Sequence, residues 1–125
     1  MRWLVVVLLL SGAARAQTAD GAFGSPMHFT ETTGEAVYQG VCAGCHMPNG
    51  QGARGAGAYP SLANDPRLAI TDYPIMLVLK GRGAMPPFAR LLSDEQVAGV
   101  VGYIRQNFGN DFARAPTADE VHAMR

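Results

Sequence analysis

Residues 41–50 read VCAGCHMPNG, and this stretch holds both cysteines of the chain, three positions apart, with a histidine directly after the second. A disulfide across two intervening residues closes so short a loop that it removes little entropy from the unfolded chain. Stapling the fold is therefore a poor explanation of the pair. A thiol–disulfide exchange motif of the same spacing belongs at a helix start within a strand–helix–strand pattern, and no strand pattern precedes Cys42. A structural zinc site needs four regularly spaced ligands. Only Cys42, Cys45, His46 and the distant His28 and His122 are on offer, and the adjacent Cys45 and His46 are badly placed to share one tetrahedral ion. The remaining reading uses the whole motif. In C-x-x-C-H two thiols add covalently to the vinyl groups of a haem, and the histidine turns its ring onto the iron. Cys42 and Cys45 are then the tethers and His46 the proximal ligand.

Outward from the motif, the N-terminus agrees with that chemistry. Met1 and Arg2 precede an apolar run from Trp3 to Leu10, followed by Ala14-Arg15-Ala16, a small-x-small cleavage pattern. The run is far shorter than the roughly 20 residues of a spanning helix. It reads as a secretory leader, which places the mature chain outside the cytoplasm, in the periplasm, where covalent haem attachment of this kind takes place. Cleavage after residue 16 leaves 109 of the 125 residues and eight basic against ten acidic side chains. That mildly acidic balance excludes a nucleic-acid partner, which calls for basic patches. A chain of this size fits one domain with a modest core, which an internal cofactor would help to fill.

The expected organisation is a leader over 1–16, an extended arm over 17–31, one domain over 32–109 and a tail over 110–125. Thr32 with Glu35 forms a T-x-x-E capping box for a first helix of about ten residues ending near Cys42. Gly50, Gly52, Gly55 and Gly57, between Pro48 and Pro60, mark loop rather than strand. A second helix runs from about Asp72 through Ile75, Met76, Leu77, Val78 and Leu79 to a glycine stop at Gly81. The third is the plainest. Ser93 and Gln96 form its capping box, and Leu92 and Val97 stand as a hydrophobic staple. Val97, Val100, Val101, Ile104 and Phe108 follow the helical rhythm up to Gly109. Thr117 with Glu120 caps a last short turn. The fold class is all-α.

An electron-carrying haem iron takes a second axial ligand, and a thioether raises its potential. The mature chain offers Met27, Met47, Met76, Met85 and Met124. Met47 adjoins His46 and cannot cross to the opposite face of the ring. Met76 sits in an apolar helical run and reads as core filler, while Met27 and Met124 lie near the ends. Met85, in GRGAMPPF, stands in a loop between helices, with Pro86 and Pro87 fixing the backbone beside it. It is the expected sixth ligand.

At this point the chain resembles the small mono-haem c-type cytochromes with His/Met ligation, over about Thr33 to Gly109. Gly34, Tyr38 and Cys42 have the spacing of that family's first helix, and Val100 and Tyr103 match the apolar–aromatic pair of its last. The resemblance implies that these two helices cross. Helix-interior glycines cost up to about 1 kcal/mol each relative to alanine, and a close crossing would account for Gly99 and Gly102. YPSL resembles the family segment whose proline carbonyl accepts a hydrogen bond from the proximal histidine, which implies that Pro60 orients His46 and that Leu62 lies on the haem face. MPPFARLLSDEQVAGVVGYI is similar to segments of cytochromes serving as electron-accepting subunits of periplasmic dehydrogenases.

The expected function is thus single-electron transfer through one covalent haem c ligated by His46 and Met85, with no catalytic residue. The partners would be redox proteins, a dehydrogenase as donor and an oxidase or another cytochrome as acceptor. Lys80, Arg82 and Arg90 bracket Met85; the resemblance implies that they form a small basic rim for docking beside the exposed haem edge, and an ordinary solvated surface is the alternative reading. A second class of function stays open, a gas sensor or peroxidase-like haem protein with an open sixth position, as does a carrier using His28 or His122 in place of sulfur.

Overall fold

A computed structural model of the protein describes residues 28–125. The expected leader, most of the arm, and Met27 lie outside the described residues.

The first helix begins one residue later than the capping pattern suggests. Thr33, not Thr32, is the N-cap: its backbone is extended (φ −106°, ψ 151°) and its hydroxyl accepts from the Ala36 amide at 3.1 Å. Glu35 therefore falls inside the first turn, where its charge faces the positive end of the helix, instead of closing a box. The helix also does not stop at Cys42. α1 (Gly34–Val37) passes into a π turn (Tyr38–Cys42) and on into α2 (Ala43–His46) with right-handed helical backbone at each junction. Both cysteines and His46 ride the end of one helical run, and the chain leaves it at Met47 with φ +65°.

The glycine-rich stretch is not loop throughout. β1 (Ala53–Arg54) pairs antiparallel with β2 (Ala58–Tyr59), a two-residue ladder in an otherwise helical fold. A 3₁₀ turn over Pro66–Ala69 follows, with the Asp65 carboxylate accepting from the Arg67 amide and Pro66 opening the turn. Proline at that position loses no hydrogen bond and brings a preset φ.

α3 (Asp72–Lys80) ends at Gly81, where φ is +69° and ψ 172°. It buries Pro74, Ile75, Val78 and Leu79. Met76 lies off that stripe and is 41 % exposed, so the expectation that it fills the core is wrong. α4 (Asp94–Gln106) carries the expected capping box: Ser93 Oγ accepts from the Gln96 amide at 3.2 Å and Gln96 Oε1 from the Ser93 amide at 2.9 Å. Leu92 and Val97 are both buried beside it. The helix stops before Gly109, because Asn107 turns extended and Phe108 takes φ +59°. A bulky residue pays for that conformation. Here the aromatic contacts of Phe108 offset the strain: its ring centroid lies 4.8 Å from that of Tyr38 and 5.6 Å from that of Tyr103. α5 (Ala118–His122) starts on the capping box of Thr117 and Glu120.

The core forms where α1 crosses α4. A Cβ on Gly34 would lie 2.1 Å from the Gly99 carbonyl oxygen, so the two backbones approach as closely as glycine allows. Tyr38 is fully buried at this crossing, with Tyr103 at 5.5 Å between ring centroids. Gly102 has a different reason from the one expected. A Cβ there would meet the Ala115 side chain at 2.7 Å, so it makes room for the C-terminal tail and not for α1. The tail is tied down by Arg105, which is buried and donates to the carbonyls of Leu68 (2.8 Å), Ala69 (3.2 Å) and Arg114.

Candidate functional site

The helical end presents the motif in order. Cys42 is half-buried and touches the core, Cys45 is exposed one turn on, and both are free thiols. Burial, with Cys45 adding to it, pushes the Cys42 thiol up to about 12. It keeps its proton at neutral pH, unlike the attacking thiolate of an exchange enzyme. Among the described residues no group of three or more His, Cys, Asp or Glu side chains is placed to hold a metal ion.

His46 is oriented by the loop that follows. Its Nδ1 lies 2.9 Å from the Pro60 carbonyl oxygen. A carbonyl has no proton to give, so Nδ1 is the donor and Nε2 keeps its lone pair free for a metal. The His46 carbonyl in turn accepts from the Gly52 amide at 2.9 Å, and the Tyr38 hydroxyl donates to the Met47 carbonyl at 2.8 Å. The ring is thus held at Nδ1, and the backbone that bears it is held where the helix ends. Leu62, two residues past Pro60, packs half-buried against the core.

Met85 comes from a separate segment. After Gly81 the chain makes a tight turn in which Arg82 and Met85 exchange backbone hydrogen bonds of 3.0 and 3.1 Å. A Cβ on Gly81 would sit 2.5 Å from the Met85 carbonyl oxygen, so glycine lets the helix end run beside this turn. The Phe88 amide then donates to the Val78 carbonyl at 2.9 Å, returning the chain to α3. Pro86 and Pro87 follow the turn and do not make it. The Met85 side chain is half-buried against the same core as Cys42 and Leu62.

The structure therefore brings Cys42, Cys45, His46 and Pro60 together and sets Leu62 and Met85 on the same core. No hydrogen bond joins Met85 to the His46 ring among the described residues. His28 and His122 stand elsewhere, in a groove beside the start of α4 that includes Glu31, Asp94 and Arg125 and none of Cys42, Cys45, His46 or Met85. His122 Nδ1 meets the Asp94 carboxylate there at 3.1 Å. A donor set of two thiols, an oriented imidazole and a thioether, flanked by half-buried apolar residues, fits a covalently held haem. Lys80, Arg82 and Arg90 are all exposed. Sequence reasoning missed Asn110, whose buried amide fixes the 62–65 loop; nothing in its local pattern separates it from an ordinary polar residue after a helix.

Comparison with known proteins agrees. The family model described as cytochrome c oxidase, cbb3-type, subunit III, matches residues 30–104. Cytochrome c-552 of Thermus thermophilus is 33 % identical over 145 aligned positions, covering 99 % of this chain and 86 % of that protein. A nicotinate dehydrogenase subunit of Pseudomonas putida is 34 % identical over 82 % of this chain, and the cytochrome c subunit of a quinone alcohol dehydrogenase of Gluconobacter oxydans 33 % over 74 %. The chain spans only 9 % and 22 % of the length of these last two proteins. The helix crossing at Gly34 and Gly99, the motif at the end of the first helix and the matched span lead to one conclusion: the chain belongs to the c-type cytochrome family and has its mostly helical fold.

Proposed function

We propose that this chain carries single electrons in the periplasm on one haem c, with Cys42 and Cys45 as the covalent tethers and His46 and Met85 as the axial ligands, and that it works as partner or subunit of a dehydrogenase or respiratory complex. The hydrogen bond between His46 Nδ1 and the Pro60 carbonyl is the observation that carries the reading. Such a bond fixes the tautomer and ring orientation of a metal-bound imidazole and raises its basicity. When bound, haem c supplies a ferrous–ferric couple. The chain's own part is to hold its ligands rigid, so that little rearranges when the charge changes, and to keep water from one side through Val41, Leu62, Met85 and Phe88, all packed on the core. Tethering suits a domain with a modest core that has to keep its cofactor. The leader expected from the residue pattern over 1–16 supports export, and the dehydrogenase subunits among the relatives support a redox protein as donor.

The test is expression in a host with haem-attachment machinery, followed by acid–organic extraction and intact mass. One haem that extraction leaves in place, with a weak red-edge band in the oxidised spectrum from sulfur-to-iron charge transfer, is the expected result. A Cys42–Cys45 disulfide in the mature protein overturns the proposal.

A further inference from the structure

A loop carbonyl is only as well placed as the loop that bears it, and the segment after Pro60 is held at two points. On the motif side, the Gly50 carbonyl accepts from the Leu62 amide at 2.7 Å, the Ala63 amide at 3.1 Å and Ser61 Oγ at 3.2 Å. The second hold comes from beyond α4. Asn110, 7 % exposed, donates from Nδ2 to the Leu62 carbonyl at 2.7 Å and to the Ile104 carbonyl at 2.8 Å, while its Oδ1 accepts from the Asp65 amide at 2.9 Å. Both amide protons and the oxygen are used, each on backbone, so the side chain cannot rotate without leaving buried groups unpaired. The Asn64 amide donates to the Phe108 carbonyl at 3.1 Å alongside it. The loop is thereby fastened to the end of α4, 48 residues along the chain.

We propose that Asn110 is a positioning residue for His46: by pinning Leu62 and Asp65 it fixes the Pro60 carbonyl, and so sets the orientation and basicity of the imidazole. This rests on His46 ligating the haem iron, as proposed above. A loosened Pro60 carbonyl accepts a weaker hydrogen bond from Nδ1, Nε2 becomes a poorer donor, and the ferric state loses stabilisation relative to the ferrous. The reduction potential then rises although no ligand has changed.

The test uses haem-loaded wild type, Asn110→Ser, Asn110→Leu and Val121→Ala. Asn110→Leu, close in size and uncharged, removes the donors to the two carbonyls and the acceptor for Asp65 while filling the buried site; it carries the test should Asn110→Ser fail to retain haem. Val121→Ala, a fully buried site on α5, controls for lost stability away from the loop. The readouts are the potential and, by NMR of the reduced protein, solvent exchange of the His46 Nδ1 proton. Both Asn110 variants should show a raised potential and exchange about tenfold faster, while Val121→Ala melts earlier with both readouts unmoved. Asn110 variants that melt earlier but keep the wild-type potential and exchange overturn the inference alone. Wild type without covalent haem overturns the ligation reading itself.

Discussion

The Tyr38 hydroxyl donates to the Met47 carbonyl at 2.8 Å, so the residue buried at the helix crossing also fastens the chain where it leaves His46. Burial, with Cys42 and Tyr103 adding to it, pushes the Tyr38 phenol from its ordinary 10 up to about 12. A raised acid pKa means that folding favours the protonated form. The contribution is complete below pH 10 and is lost as pH rises from 10 to about 12. Tyr38→Phe should cost about 1 kcal/mol at neutral pH, through the lost hydrogen bond. It should also flatten the alkaline limb of a plot of melting temperature against pH, and an alkaline limb as steep as that of wild type would count against the assignment.

Glycine substitutions should separate sharply by position. Gly34→Ala drives a methyl into the Gly99 carbonyl, and overpacking against backbone should cost about 3 kcal/mol. Gly44→Ala, in α2 with nothing within 4 Å of the added carbon, should be neutral or stabilising by up to about 1 kcal/mol. Denaturant melts of the two variants check this directly.

Much of this fold is legible from local signals. Ser93 with Gln96 and Thr117 with Glu120 start helices where their side chains satisfy backbone groups nearby, and such bonds need no knowledge of the rest of the chain. The C-x-x-C-H run is legible because its chemistry is contained in five residues. What fails is decided at a distance. Thr32 has the better local pattern, with Glu35 three residues on, yet Thr33 is the cap, and the Gln96 side-chain amide, which donates to the carbonyls of Phe29 and Glu31, ties down the segment just before it. Phe108 ends α4 early to reach Tyr38, some 70 residues upstream in the chain. Gly102 answers to Ala115, and Asn110 to Leu62 and Asp65. The exposure of Met76 needed only a stricter count of the Ile75, Val78 and Leu79 stripe.

Met85 and Met76 make a matched pair for testing ligation. Met85→Ala should leave the haem attached, abolish the charge-transfer band, lower the potential and open ferrous iron to carbon monoxide. Met76→Ala, at an exposed position on α3, should do none of these. The reverse pattern would move the ligand to α3 and remove the case for the Arg82–Met85 turn.

Lys80, Arg82 and Arg90 are exposed around the Met85 turn on a chain whose formal net charge is zero. Contacts between carriers and their partners are small, below roughly 1,200 Å² in total, and rim charges act mainly on the encounter rate and its salt dependence. Arg82→Glu and Arg90→Glu should slow stopped-flow electron transfer with the natural partner at low ionic strength and weaken its response to salt. Rates equal to wild type at low salt would place docking elsewhere.

The crossing of α1 on α4 also shuts a loop. Cys42, Cys45, His46, Pro60, Leu62 and Met85 all lie on the stretch between Gly34 and Gly99, about 65 residues long, and loop closure grows costlier only slowly with such length. Inside it are pieces that would not persist alone: a two-residue ladder, a 3₁₀ turn and a nine-residue helix. Their neighbourhood is enforced by the closure. Fraying of any one piece bends a wall of the site but leaves its side chains within the closed stretch. Only parting the two helices lets the enclosed segments disperse, so reshaping the site and dismantling it are separate events, with separate energies and lifetimes.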